Sequence, residues 1–357
     1  GLKGIRAAVA AGVVAGDPDK RLQVIAQVPA EVRPAIAQYV QETEISVECV
    51  QTTRLLDIRL TGWAQGHTAL VHIANSHGNI VREEQDGQIL LEKPVTDSAE
   101  DNLTDKSVLN VADILEYANT VDLAAVIPLL DQQIACNTAI AEEGLKNNWG
   151  ANIGSVLLGD YPADVKTEAK AWAAAGSDAR MSGCEMPVVI LSGSGNQGIT
   201  ASVPVVRYAR HLGVSQEKLY RALLVSDLVT IRQKSGIGRL SAYCGAVSAG
   251  VGAGAGIAYL LDGSYEAIAH TIVNAVAIIS GTICDGAKPS CAAKIAASVD
   301  AGILGYHMYH NHQEFKSGDG IVTKGVENTI ANIGVLAKEG MRQTDQTILS
   351  IMTERCD

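Results

Sequence analysis

Residues 240–261 read LSAYCGAVSAGVGAGAGIAYLL, 22 consecutive positions without a charge. The run is long enough to span a membrane. Yet Gly250, Gly252, Gly254 and Gly256 dilute its hydrophobicity, and no second run of this kind accompanies it. The reading is a buried helix against which other helices pack closely, since glycine removes the side chains that hold helix axes apart.

Outward from this run, the chain from Ser107 onward has helical spacing almost throughout. Val108, Val111, Ile114 and Leu115 share one face of a helix that Ser107 would begin. Ser215 and Ser264 stand as N-caps, each with a glutamate in the first turn. The last two helices are expected over about 326–338 and 343–352. Residues 1–45 are also helical in pattern, broken at Gly16-Asp17-Pro18-Asp19 and between Pro29 and Pro34. From Ile45 the period changes to two. Ser46–Gln51, Leu55–Trp63, His67–Asn75, Ile80–Glu84 and Gln88–Glu92 alternate like strands of an antiparallel meander, with turns at His77-Gly78-Asn79 and Asp86-Gly87. A polar linker follows from Pro94 to Lys106. The fold class is therefore α+β: a helix-plus-antiparallel-sheet domain over 1–104, then a large all-helical domain over 105–357.

Composition bounds the function. The chain has 357 residues, 47% hydrophobic and only 4% aromatic, with 35 glycines. Its net charge of −11 argues against nucleic acid and anionic membranes as partners, which leaves small-molecule chemistry. Seven cysteines, an odd number with no signal-peptide pattern, read as reduced and cytoplasmic.

Three motifs could carry chemistry. Ser192-Gly193-Ser194-Gly195-Asn196-Gln197-Gly198 contains GxGxxG and follows the strand-like run Pro187–Leu191. A dinucleotide site is disfavoured, because Pro204 falls where the following helix should run and no second strand ends in an acidic residue. The remaining readings are an anion-binding loop, with Ser192, Ser194, Asn196 and Gly198 in contact with the ligand, or a glycine turn that binds nothing. The second motif is the run from Thr282 to Cys291, in which Cys284 and Cys291 flank a Gly/Pro loop. That spacing is too wide for a zinc knuckle. With Cys244, forty residues earlier, three thiolates could hold three irons of a [4Fe–4S] cluster, although buried structural cysteines produce the same spacing. The third, His307, His310 and His312, suits no regular helix face and reads as a polar surface turn.

At these residues the chain resembles the L-cysteine desulfidase family, which belongs with the α chain of iron–sulfur L-serine dehydratases. The resemblance rests on Ser177-Asp178-Ala179-Arg180-Met181-Ser182-Gly183, on Ser192–Gly198 with Ile199-Thr200-Ala201, on the Cys284–Cys291 segment and on Arg342-Gln343-Thr344-Asp345. It covers essentially the whole chain. It implies a pyridoxal-independent lyase that carries out β-elimination on a small L-amino acid: L-cysteine to pyruvate, ammonia and sulfide, or L-serine to pyruvate and ammonia. Cys244, Cys284 and Cys291 resemble the three cluster ligands of that family, and the cofactor is then a [4Fe–4S] cluster. Lys288 and Asp178 are the candidate bases. The partners expected are a small amino-acid substrate and a second copy of the chain, with no nucleic acid and no membrane. Relatives carry an early Gly-Cys-Thr-Glu-Pro segment and a Pro-Gly-Thr stretch before Gly-Leu, whereas this chain begins at Gly1-Leu2. It therefore reads as lacking that N-terminal segment, and the alternative function is a truncated or degenerate member that binds a small anion without catalysis. Leu191 stands where many relatives have Asn.

Overall fold

The computed structural model describes every residue except 1, 3, 26–27, 49, 51, 53, 55, 96–103, 239–240 and 354–357. The described residues form two compact units, one within 1–104 together with Thr353 and one over Asp105–Met352.

The first unit begins with α1 (Ile5–Ala15) and α2 (Arg33–Glu42), separated by short 3₁₀ turns at Pro18–Gln23 and Ala30–Val32. Four strands follow: β1 (Asp57–Ala64), β2 (His67–Ala74), β3 (Ile80–Gln85) and β4 (Gln88–Glu92), paired antiparallel in the order β1-β2-β3-β4. Two-residue turns set the register. Gln65-Gly66 and Asp86-Gly87 both hold positive φ at both positions, the twist that suits a tight hairpin. The described part of Ser46–Gln51 is not a strand. Alternation is present there, but no neighbouring strand supplies the hydrogen bonds, and Val47 and Val50 stay exposed.

The second unit is all helix: α3 (Val111–Thr120), α4 (Ile127–Lys146), α5 (Ile153–Asp160), α6 (Val165–Met181), α7 (Gly195–Leu212), α8 (Gln216–Ile237), α9 (Gly245–Leu261), α10 (Tyr265–Ile279), α11 (Cys291–His310), α12 (Val326–Val335) and α13 (Arg342–Thr353). Ser215 and Ser264 cap α8 and α10 by accepting from Lys218 N and Ala267 N, both at 3.2 Å. Ser107 does not cap α3. Asn110 does, accepting from Asp113 N at 2.9 Å, while Ser107 lies in a turn bonded to Asp105 and Val108 is exposed. An Asx side chain three residues nearer the apolar face outcompetes the serine. Pro204 does not stop α7 either; the helix runs through it to Leu212. All described strands belong to the antiparallel sheet of the first unit, so the GxGxxG run has no parallel strand beside it.

α9 is the axis of this unit. From Ala246 through Leu260 every residue is buried, and α7, α8, α10 and α11 pack around it. No helix is long and apolar enough to cross a membrane among the described residues. The glycines divide between two faces. A Cβ on Gly250 would lie 2.5 Å from Ser298 of α11, and one on Gly254 would lie 2.7 Å from the Gly302 Cα. On the opposite side, a Cβ on Gly256 would lie 2.8 Å from the Ala222 carbonyl of α8. Two small-residue rows thus let two helices approach α9 from either side.

This packing predicts opposite signs for two glycine substitutions. Gly254→Val should destabilise the protein by about 1–3 kcal/mol or more, because backbone rather than a movable side chain blocks the new methyl groups. Gly159→Ala, in α5 with nothing within 4 Å of a new Cβ, should stabilise it by about 0.5–1 kcal/mol. Denaturant unfolding of the two variants checks both.

Candidate functional site

Cys244 and Cys284 meet because two chain segments cross. The Cys284 N–H donates to the Ala242 carbonyl at 2.6 Å and the Cys244 N–H to Thr282 O at 3.1 Å, an isolated antiparallel bridge centred on Tyr243 and Ile283. The fully buried Tyr243 adds a 3.0 Å bond between its hydroxyl and Ser280 Oγ. The two thiols are hydrogen-bonded to each other. The bond received from Cys244 lowers Cys284 to about 6 against the opposing effect of burial, helped by the Gly286 N–H and Lys294. The same bond and burial push Cys244 up.

Cys291 closes the loop. It opens α11, and its Sγ lies 3.6 Å from the Gly286 carbonyl. Cys244 immediately precedes α9, so two of the three thiols stand at helix N-termini, where the helix dipole favours a thiolate. Lys294, one turn into α11, donates to Ile283 O at 2.8 Å and pairs with Asp285. Its charge reaches Cys244, Cys284 and Cys291 alike.

The glycine loop sits against this thiol group. Ser192 and Gly193 form a tight turn at positive φ, closed by reciprocal bonds between Leu191 and Ser194 of 3.0 and 3.1 Å. Ser194 then caps α7, accepting from Gln197 N at 3.4 Å. Gly195 N and Asn196 N have no acceptor among the described residues, so the first turn keeps two free donors. Gly198 is different. Its N–H bonds to Ser194 O, and a Cβ there would collide with the Val189 carbonyl, so it serves packing rather than ligand contact. The fully buried Asn137 side chain holds that segment, bonding both Val189 N and Val189 O. Gln197 reaches across to α9: a Cβ on Gly245 would lie 2.6 Å from its Nε2.

The two candidate bases are otherwise engaged. Lys288 is ion-paired with Asp285 and donates to its carbonyl at 2.9 Å. Asp285, despite burial, is lowered to about 2 by Lys288 and Lys294. Asp178 is fully buried and bonds the start of α5, accepting from Gly154 N at 3.3 Å. Burial raises its carboxyl, opposed by those backbone bonds. Its described partners lie at the N-terminus of α5, not at the thiols.

Three cations were not evident as site residues from spacing. Lys294 is one. Lys234, in the last turn of α8, is 6% exposed and has no carboxylate partner among the described residues; burial lowers its ammonium, opposed by Cys284 and Cys244. Arg180 of α6 bonds Asn196 Oδ1 at 3.3 Å and lies within electrostatic reach of Cys291. A lysine in an amphipathic helix carries no mark of what its end will face, so only the thiol motif could have prompted a search for such cations. His307, His310 and His312 gather no metal site: no group of three or more His, Cys, Asp or Glu side chains is close enough to hold a single ion among the described residues.

The family model described as serine dehydratase alpha chain matches residues 22–350. The chain is similar to a UPF0597 protein of Desulfitobacterium hafniense strain Y51, 56% identical over 356 residues, covering 100% of this chain and 83% of that protein. It is also similar to UPF0597 proteins of Lachnoclostridium phytofermentans, 49% identical over 351 residues (98% of this chain, 84% of that protein), and of Treponema denticola, 44% identical over 359 residues (99% and 83%).

The thiol pair has a pH signature. In metal-free protein, alkylation of Cys284 by iodoacetamide should rise through a midpoint near pH 6 and be nearly complete in rate by pH 8. In Cys244→Ala the donated bond is gone, so the midpoint should move up toward the ordinary thiol value of about 8.5. Mass-spectrometric peptide mapping across pH measures both.

Proposed function

Because the chain belongs to the serine dehydratase alpha-chain family, we propose that it is an iron–sulfur-dependent, pyridoxal-independent lyase that eliminates the β-substituent of a small L-amino acid. The substrate is L-cysteine, giving pyruvate, ammonia and sulfide, or L-serine, giving pyruvate and ammonia. The observation that carries this reading is the pairing of Cys244 with Cys284 beside a loop that offers free N–H donors, Gln197 lying on Gly245 next to Cys244, with Cys291 in electrostatic reach of the same Lys294.

The donor set fits a [4Fe–4S] cluster. Three sulfurs lie within electrostatic reach of Lys294, which also pairs with Asp285, and two of the sulfurs stand at helix N-termini. Cys244, Cys284 and Cys291 would hold such a cluster, and its open iron would supply Lewis acidity toward the departing sulfur or oxygen.

The rest is done by the chain's own side chains. The α-carboxylate of the substrate binds at the start of α7, where Gly195 N and Asn196 N have no acceptor among the described residues and the helix dipole favours an anion. Removal of the α-proton needs a base that is neutral near pH 7. Lys234 suits this better than Lys288 or Asp178: it is buried, within electrostatic reach of Cys244 and Cys284 and without a carboxylate partner among the described residues, and burial favours its neutral form against the opposing pull of the two thiols. Lys294 and the helix N-termini stabilise the negative charge on the thiolates.

Anaerobic reconstitution with iron and sulfide should give brown protein with about four irons per chain. It should release pyruvate, with sulfide when L-cysteine is supplied. Cys284→Ala should lose colour and activity together. Lys234→Met should keep the iron while kcat falls by about 10²-fold or more. Colourless, iron-free protein after reconstitution, or full activity in Cys284→Ala, would overturn the proposal. Iron-free protein that still binds the amino acid would instead support a binding role without catalysis.

A further inference from the structure

Arg180 is an unusual cation. It lies in the last turn of α6, largely enclosed, and no carboxylate pairs with it among the described residues. Its one protein hydrogen bond goes to a neutral acceptor, Asn196 Oδ1, at 3.3 Å. The guanidinium rests on Gly195, where any Cβ would collide with it, so the first residue of α7 is side-chain-free where the charge must pass. Guanidinium groups withdrawn from water normally have an anion to face. Here the described protein supplies only the Cys291 thiol within electrostatic reach.

Gln197 is the second, independent feature. It is only 6% exposed, sits in the same helical turn, and packs on Gly245 next to Cys244. Its Oε1 is buried with no hydrogen-bond partner. An unmade bond at a buried amide costs about 1–3 kcal/mol, so the orphan acceptor points to a donor that arrives with a ligand. Guanidinium, two free N–H groups and an orphan amide oxygen thus border one turn of α7. Together they offer positive charge for a carboxylate and an acceptor for an ammonium, the two ends of a zwitterion.

Resting on the lyase reading above, we propose that Arg180 and Gln197 are the specificity determinants of the site: Arg180 pairs with the α-carboxylate and Gln197 Oε1 accepts from the α-ammonium. The substrate class follows. It is a free α-amino acid with both charged groups intact, and an amide, an ester, a peptide or a hydroxy acid lacks one of the two contacts.

The test is binding by calorimetry on the anaerobically reconstituted chain carrying Lys234→Met, in which L-serine is bound much faster than it is consumed. Three ligands are compared: L-serine, L-serinamide, which lacks the carboxylate, and 3-hydroxypropanoate, which lacks the ammonium. With Arg180 and Gln197 intact, this chain should prefer L-serine to either analogue by about 10–100-fold, the worth of a charge-assisted hydrogen bond. Arg180→Gln should abolish the preference over L-serinamide and keep that over 3-hydroxypropanoate. Gln197→Leu should do the reverse. Gly195→Ala, which displaces the guanidinium without removing it, should weaken the first preference in the same direction as Arg180→Gln. Each reading is a ratio within one preparation, so a smaller folded fraction does not imitate the effect. Ratios within threefold of that parent in both Arg180→Gln and Arg180→Lys, with L-serine or L-cysteine still turned over when Lys234 is kept, would overturn the clamp and leave the lyase reading standing. No binding and no turnover of any amino acid by the iron-loaded chain would overturn both.

Discussion

The close approach of helices to α9 is the constraint on which the large unit depends. Its axis can sit between α8 and α11 only because Gly252 and Gly256 face one neighbour while Gly250 and Gly254 face the other. Dispersion and apolar burial then act at backbone distance, in a core built from Ala, Val, Ile and Leu with few rings. Gly302 of α11 and Gly254 of α9 meet Cα to Cα, so neither chain can gain a methyl group there without a shift. Because α9 is held so firmly, its first turn is a fixed reference point. Cys244, at that turn, inherits the position.

The site is assembled at helix starts for the same reason. α7, α9 and α11 each present an N-terminus toward the thiols or the glycine loop, and each N-terminus leaves unpaired donors and a partial positive charge. Lys294, Lys234 and Arg180 add full charges from three different helices. A chain with a net charge of −11 thus concentrates local positive potential where anionic sulfur and a carboxylate would sit. Asp285 is the counterweight, pairing with Lys288 and Lys294 and fixing the loop between Cys284 and Cys291.

Much of this was readable in the residues. Four strands, their meander order and the Asp86-Gly87 turn follow from period-two alternation, and the buried central helix follows from an uncharged, glycine-rich run. The misreadings have physical causes. Ser46–Gln51 alternates like a strand, but its described part has no partner strand among the described residues. Ser107 looks like a cap, yet Asn110 stands closer to the first buried turn and takes the bond. Pro204 argues in sequence against a dinucleotide-site helix after the glycine loop, but the losses it causes are confined to one hydrogen bond within a helix otherwise buried on α9 and α6. Gly198 belongs to the motif by spacing and to the packing by contact.

Local sequence alone determined most of the helices, the four-strand meander, where the three thiols lie in the chain, and that a glycine turn lies at Ser192-Gly193. These properties depend on neighbours within a few residues: turn chemistry, caps and hydrophobic period. Tertiary structure alone decided that Cys244 meets Cys284 across forty residues, that Lys234 comes within electrostatic reach of that pair, and that Asp178 bonds the start of α5 instead. It also decided that Arg180 comes to rest on Gly195 with no carboxylate paired to it among the described residues. A charged side chain reads the same in sequence whether it ends in water or beside a thiol, and only the packing of the helices settles which.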